Sequence, residues 1–261
     1  MNGTRQEPSS AAGAGVSVVL ISFNEEKRIG ACLESLRWAD EIIVVDSGSS
    51  DATREIARRH TDLVFETPWQ GFGPQKQSAV DRASHRWVFN VDCDEQVTGE
   101  LAAEIRKIVG LGSGPCAYSV PRKTYIGAKW IRHAGWYPDP TIRLFERTRG
   151  RFSTSLVHER VVVDGDVGRC TGHLLHYSFA GVDDLFRKIP RYSEPAALQM
   201  FAQGRRCGRL ELALRPVLAF LKSYLLKLGI LDGREGLAIA ASTYVAIHRK
   251  YSRLRELRKL G

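Results

Sequence analysis

Four apolar, β-branched runs alternate with helix-forming stretches across residues 16–91, and this alternation constrains the fold more than any other feature. The runs are 16–22, 41–45, 63–65 and 87–91. Consecutive apolar positions suit strands covered on both faces. Asn24-Glu25-Glu26 opens the first intervening helix, with Ile29, Leu33 and Leu36 at helical spacing. Residues 52–60 and 75–83 supply two more. A β-α-β-α-β-α-β order is most economically a parallel, doubly wound α/β sheet. Ligands of such sheets bind beyond the carboxyl ends of the strands. Ser22, Asp46 and Asp92 all stand at those ends.

A chain of 261 residues with 43% hydrophobic content holds one elaborated α/β domain or two small ones. Its net charge of +9 is concentrated beyond Arg187, pointing to an anionic surface, either nucleic acid or acidic lipid. The five cysteines are scattered without CxxC pairs, which favours a reducing compartment over a disulfide framework. Residues 1–15 are small and polar and read as a flexible tail, not a signal peptide. No apolar stretch reaches the roughly 18 to 20 residues of a membrane span. A cytoplasmic protein is expected.

Asp92-Cys93-Asp94 closes the fourth apolar run. In extended backbone the two carboxylates point the same way and Cys93 the other. Like charges so placed either solvate in a turn or hold a divalent cation with phosphate oxygens completing its shell. Asp46 precedes Ser47-Gly48-Ser49-Ser50-Asp51, a small-residue turn that leaves room for a ligand beside the carboxylate. The same turn also suits a helix N-cap by Ser49 or Ser50, with Asp51 on the dipole. There is no GxGxxG and no GxxxxGK[ST], which disfavours NAD enzymes and P-loop ATPases.

Three segments together resemble the signatures of family 2 glycosyltransferases: Val18 to Glu26, Ile42 to Asp51, and Val91-Asp92-Cys93-Asp94-Glu95. Gly135-Trp136-Tyr137-Pro138-Asp139-Pro140, Ile142-Arg143-Leu144-Phe145, Val157-His158-Glu159 and Leu228-Gly229-Ile230-Leu231-Asp232-Gly233 are similar to the branch that glucosylates the first heptose of the lipopolysaccharide inner core. The resemblance implies a GT-A fold: a Rossmann-like, mostly parallel sheet flanked by helices. It further implies a UDP-hexose donor, Mg²⁺ or Mn²⁺, inversion by direct displacement, and a lipid-linked saccharide acceptor. Ser22 and Ser47 fall in the nucleotide-sugar site. Asp46 would contact the uracil ring and Glu25 the ribose or base. Asp92 would hold the ribose or a metal-bound water, placing it at the edge of the metal site, and Asp94 would bind the ion itself. Lys76 falls where the family often carries a basic residue approaching the pyrophosphate; an exposed helix lysine is the plainer reading. Cys93 is a mild variant at a normally small position.

Inversion needs a base for the acceptor hydroxyl. Glu159 is the first candidate, in the place of the wider family's acidic pair, and Asp139 the second. Trp130, Trp136 and Tyr137 either stack on sugar faces or pack in the core. Arg143 is either a phosphate contact or the partner of Glu146. His158 is read as a site residue on the acceptor side. Cys170, His173 and His176 form C-x2-H-x2-H, but zinc lacks a fourth ligand at standard spacing.

The sequence divides into a tail (1–15), a nucleotide-sugar half (16–110), an acceptor-side half with short strands at 117–122, 141–145, 157–163 and 174–178 (111–180), and a helical, basic, membrane-proximal region (181–261). In the last, apolar residues interleave with Lys222, Lys227 and the 249–259 cluster. This reads as a basic amphipathic pair on an anionic bilayer, or as a helical hairpin packed on the catalytic domain. The interleaving, with no recognised motif, disfavours nucleic acid. The expected location is peripheral, on the inner face of the cytoplasmic membrane. Two alternatives stand beside this: another lipid-linked or peptide acceptor, and a nucleotide-binding module without catalysis.

Overall fold

The computed structural model describes residues 15–153 and 159–260. The expected tail and Val157-His158 therefore lie outside the described residues, apart from Gly15. In chain order the elements are β1 Val16–Ser22, α1 Ile29–Glu34, β2 Glu41–Asp46, α2 Thr53–Arg58, β3 Val64–Glu66, α3 Phe72–Asp81, β4 Trp87–Asn90, β5 Glu95–Val97, α4 Gly99–Gly110 and β6 Ala117–Val120. They continue as β7 Arg122–Ile126, β8 Lys129–Trp130, β9 Thr141–Glu146, β10 Gly150–Phe152, β11 Val161–Val163, β12 Val167–Arg169, β13 Leu174–Phe179, α5 Val182–Ala202, α6 Arg209–Leu221 and α7 Gly233–Leu260. A π-helical turn (Lys222–Leu226) and a 3₁₀ turn (Gly229–Asp232) join α6 to α7.

The chain forms two compact units. The first takes the residues up to Val120 together with Pro140–Leu174; the second takes Pro121–Asp139 and everything from Leu175 onward. The residues grouped in sequence as 111–180 are thus shared between the units.

The first unit is built on a seven-stranded sheet of order β12-β6-β9-β4-β1-β2-β3. β4, β1, β2 and β3 run parallel, as the alternating pattern requires, and β9 enters antiparallel beside β4. Strand alternation sorts the core into two layers. Val16, Val18 and Leu20 face one layer with Leu33, Leu36, Phe89, Leu101 and Ile105. Val19, Ile43 and Val45 face the other with Ala79, Val80, Val88 and Phe145. Helices α1 and α4 therefore cover one face and α3 the other. The register pairs Ser22 with Asp46, bringing both to one height at the carboxyl edge.

In the second unit β13, β7 and β8 hydrogen-bond in that order. Ile126, Ile131, Leu185 and Ile239 form its small core. Helices α5 and α6 both pack along α7.

Phe89 is fully buried in the central strand and meets Trp38 edge to face at 6.0 Å. Phe89→Ala is expected to cost about 3–5 kcal/mol through lost transfer and an unfilled cavity. Urea unfolding followed by tryptophan fluorescence measures it, and a cost below about 1 kcal/mol would contradict this core assignment.

Candidate active site

Asp46 ends β2 with no solvent exposure, so its charge must be met locally. One oxygen, Oδ1, accepts the backbone N–H groups of Gly48 (3.0 Å) and Ser49 (2.7 Å). The other, Oδ2, accepts the hydroxyls of Ser22 (2.7 Å) and Ser49 (2.5 Å). The Arg54 guanidinium stands 3.8 Å from Oδ1. The turn that folds back on the carboxylate needs Gly48 at φ +87°. Its neighbour strand-end loop is stitched to it: the Asn24 N–H donates to Ser49 Oγ (2.9 Å), and Asn24 Oδ1 accepts the Ser50 N–H (2.9 Å). The N–H of Glu25 donates to Thr53 Oγ1 (2.8 Å). Ser47 Oγ accepts from Gln75 Nε2 at 3.2 Å. Every acceptor direction of Asp46 is thus already used, and a base contact requires one of these bonds to be exchanged. Asp51 fixes the start of α2, accepting the Thr53 N–H (3.0 Å).

The acidic tripeptide adopts a turn, which corrects the extended arrangement expected from sequence. The Glu95 N–H donates to the Asp92 carbonyl (2.9 Å), and Glu95 Oε2 accepts the Asp92 N–H (3.0 Å). Cys93 turns inward, its thiol donating to the Ile21 carbonyl at 3.2 Å. Burial pushes the Cys32 and Cys93 thiols well up, so neither is a thiolate nucleophile.

Asp92 sits between two cations. Its Oδ1 lies 2.8 Å from Lys76 Nζ, and its Oδ2 accepts from Arg143 Nη2 at 2.9 Å. The same Nη2 donates to Glu95 Oε1 (2.5 Å), while Nη1 donates to Asn90 Oδ1 (2.8 Å). Lys76 Nζ also donates to Glu159 Oε1 at 3.2 Å. Burial pushes the Asp92 carboxyl up, but the charges and hydrogen bonds of Lys76 and Arg143 outweigh it and hold it far below the carboxylate range. Burial likewise opposes the Arg143 charge, yet Glu95 and Asp92 raise its pKa above the usual value. Lys76 is only 5% exposed, so it is not the solvated helix lysine of the plainer reading. Arg143 does not pair with Glu146, which takes Arg86 instead (2.8 Å).

With Asp94 acting on Arg143 as well, two cations face four carboxylates: Lys76 and Arg143 against Asp92, Asp94, Glu95 and Glu159. The cluster therefore carries a formal excess of two negative charges. Among the described residues no group of three His, Cys, Asp or Glu forms a preassembled metal site. A hard ion would therefore take a carboxylate from the protein and oxygens from a diphosphate and water. Both Asp92 oxygens are engaged by Lys76 and Arg143, so an ion bound through Asp92 would have to displace one of these cations.

Asp139, Trp136 and Tyr137 belong to the second unit. There Asp139 is ion-paired with Arg122, Trp136 packs tilted on Phe179 (5.4 Å), and Tyr137 meets Trp130 edge to face (5.3 Å). His176 hydrogen-bonds with Thr124 Oγ1 (3.3 Å) and Ser178 Oγ (2.8 Å). Burial raises the Cys170 thiol to about 12. His158 lies outside the described residues. Sequence reasoning missed Asn90, Glu95 and Arg54; Glu95 was signalled by its place directly after Asp94.

A mostly parallel α/β sheet flanked by helices, with carboxylates at adjacent strand ends, agrees with the GT-A fold that the sequence resemblance implies. Residues 17–156 match the glycosyl transferase family 2 model, and the chain belongs to that family. It is 30% identical to the lipopolysaccharide core biosynthesis glycosyltransferase LpsC of Rhizobium meliloti, over 91% of this chain and 93% of that protein. An uncharacterized glycosyltransferase of Rickettsia typhi is 28% identical over 93% of this chain and 87% of its own length. Among solved structures, S. aureus TarS in complex with UDP-GlcNAc aligns with 94% of this chain and 92% of its own, at 14% identity and a TM-score of 0.48.

Removing Arg143 would strand Glu95 as a buried carboxylate and take from the half-buried Asp92 one of its two cations. Arg143→Met is expected to cost about 3–5 kcal/mol in denaturant unfolding, and a change under about 1 kcal/mol would refute this account of the cluster. The Asp92 pKa is lower folded than unfolded, so its contribution is complete above the unfolded value near 3.9 and falls away at lower pH. Asp92→Asn should flatten the acid limb of the stability profile; an unchanged slope between about pH 5 and pH 2 would contradict it.

Proposed function

We propose that this glycosyltransferase moves a hexose, with glucose from UDP-glucose the first donor to test, onto a lipid-linked saccharide such as the heptose of a lipopolysaccharide inner core. The reaction is read as inverting, assisted by Mg²⁺ or Mn²⁺, and placed at the anionic cytoplasmic face of the inner membrane. Similarity to LpsC along nearly the whole of both chains carries the reading, since it extends past the donor-binding half that family members share.

The turn built around Asp46, with Ser22, Ser47 and Glu25 on its rim, forms the base-and-ribose end of the donor site. A divalent ion held by Asp94 would supply Lewis-acid stabilisation of the departing diphosphate. Lys76 has a coupled role. It is shared by Asp92 and Glu159, and an incoming diphosphate competes for the same ammonium. Drawing Lys76 toward phosphate oxygens loosens its hold on Glu159, whose carboxylate is then available to take the acceptor hydroxyl proton. Asp139 is the second choice of base; its pairing with Arg122 opposes that role. Trp136, Tyr137 and His158 are the proposed acceptor contacts. Arg143 is read as a positioning residue for Asp92.

The test is donor hydrolysis across a panel of UDP-sugars with and without Mg²⁺ or Mn²⁺, followed by transfer to truncated lipopolysaccharide. Asp94→Asn is expected to lower turnover by about 100-fold or more and to abolish the metal dependence. Glu159→Gln should lower transfer by about 10²- to 10⁴-fold while UDP still binds. Full activity in Asp94→Asn would sink the ion assignment. Unchanged transfer in Glu159→Gln would pass the base to Asp139. No hydrolysis or transfer with any donor would favour a module that binds nucleotides without turning them over.

A further inference from the structure

Helix α6 carries its apolar stripe on the outside. Leu210, Leu214, Val217, Leu218, Leu221 and Leu225 recur at the spacing of one helix face, and all are 40–71% exposed. That spacing normally marks the side a helix buries. Here the buried residue is Pro216, on the opposite side. The stripe runs on through the joining turns, where Leu226 is 80%, Ile230 49% and Leu231 63% exposed. An uncovered apolar surface of this extent marks an interaction site.

Its surroundings select the partner. Residues 205–234 hold Arg205, Arg206, Arg209, Arg215, Lys222, Lys227 and Arg234 against Glu211 and Asp232 alone. Asp232 is buried, and Glu211 is paired with Arg215, so the rim is cationic. Leucine flanked by lysine and arginine suits an interface of headgroups and acyl chains. No described helix is long and apolar enough to cross a membrane, so the segment would lie on the surface.

The segment is also pinned. Asp232 accepts the backbone N–H groups of Arg132 (3.2 Å) and His133 (2.8 Å), and the Ala134 N–H donates to the Lys227 carbonyl (2.8 Å). A Cβ at Gly236 would stand 1.7 Å from the Gly229 carbonyl oxygen, so the turn and the start of α7 touch backbone to backbone. The pinned loop leads straight into Trp136-Tyr137.

We propose that the outward face of α6 and the turns after it docks on an anionic bilayer and, through the Asp232 latch, sets the depth of the Trp136-Tyr137 loop at the membrane. This rests on the reading that the acceptor is lipid-linked. The test is co-sedimentation of the full chain with vesicles of phosphatidylglycerol and phosphatidylethanolamine, compared with phosphatidylcholine alone, beside donor hydrolysis without lipid. Wild type should bind the anionic vesicles and be released by salt. Leu218→Glu with Leu226→Glu should weaken binding by about 10-fold or more while hydrolysis is unchanged. Equal binding by wild type and variant would overturn the proposal. So would a wild-type dimer in solution that the variant splits, since a second copy would then cover the stripe. Vesicle binding is scored without donor, so absent hydrolysis with intact binding counts against the transferase reading and leaves the docking face standing.

Discussion

One buried guanidinium holds the acidic edge of the sheet together. Arg143 reaches Asn90, Asp92 and Glu95 at once, and it does so because β9 runs antiparallel beside β4. With Leu144 opposite Phe89, the preceding residue of β9, Arg143, arrives alongside the polar end of β4. A planar fork with several donors serves three acceptors in fixed directions; a lysine ammonium has the charge without the geometry. Glu95 is wholly buried, and without that fork its charge and the tight turn before it would have no compensation.

Neighbouring strand ends compensate a carboxylate in two different ways. Asp46 is neutralised mainly by dipoles: two backbone N–H groups and two hydroxyls, with Arg54 at the longer distance of 3.8 Å. Asp92 is neutralised by two full charges. The difference matters for chemistry. A dipole cage is part of the backbone turn and moves only if the turn does. A lysine on a flexible stem can change partners without refolding anything, and Lys76 is already shared between Asp92 and Glu159. The first carboxylate is therefore held by the turn itself, whereas the second can exchange a partner while the backbone stays in place.

The parallel strands, their order and the edge where polar groups gather were legible in the sequence because they depend on local pattern. Runs such as Val16 to Leu20 bury every residue, and only strands covered on both faces do so. What escaped was set by pairing across long stretches of chain. Asp92-Cys93-Asp94 looked extended, but Glu95 folds back onto the Asp92 N–H and makes a turn. Arg143 looked like a partner for nearby Glu146, yet its partners come from β4 and the turn beyond it. Residues 121–139 looked continuous with their flanks, but they leave the sheet for the second unit. No local periodicity encodes any of these.

The amphipathic stripe of α6 shows the same limit from the other side. Spacing identifies a face but does not say whether protein or another medium covers it. In α4 the spacing of Leu101, Ile105 and Val109 buries all three, with Thr98 capping the helix as its hydroxyl accepts the Leu101 N–H. In α6 the equivalent spacing of Leu210, Leu214 and Leu218 leaves all three in the open. The two helices differ in their charges: α4 carries Glu100 and Glu104 against Arg106 and Lys107 and follows the acidic Asp92, Asp94 and Glu95, whereas α6 and its turns carry an almost purely cationic rim. The bilayer-facing role proposed for α6 therefore rests on the charge composition around its stripe, because periodicity alone does not say what covers a face.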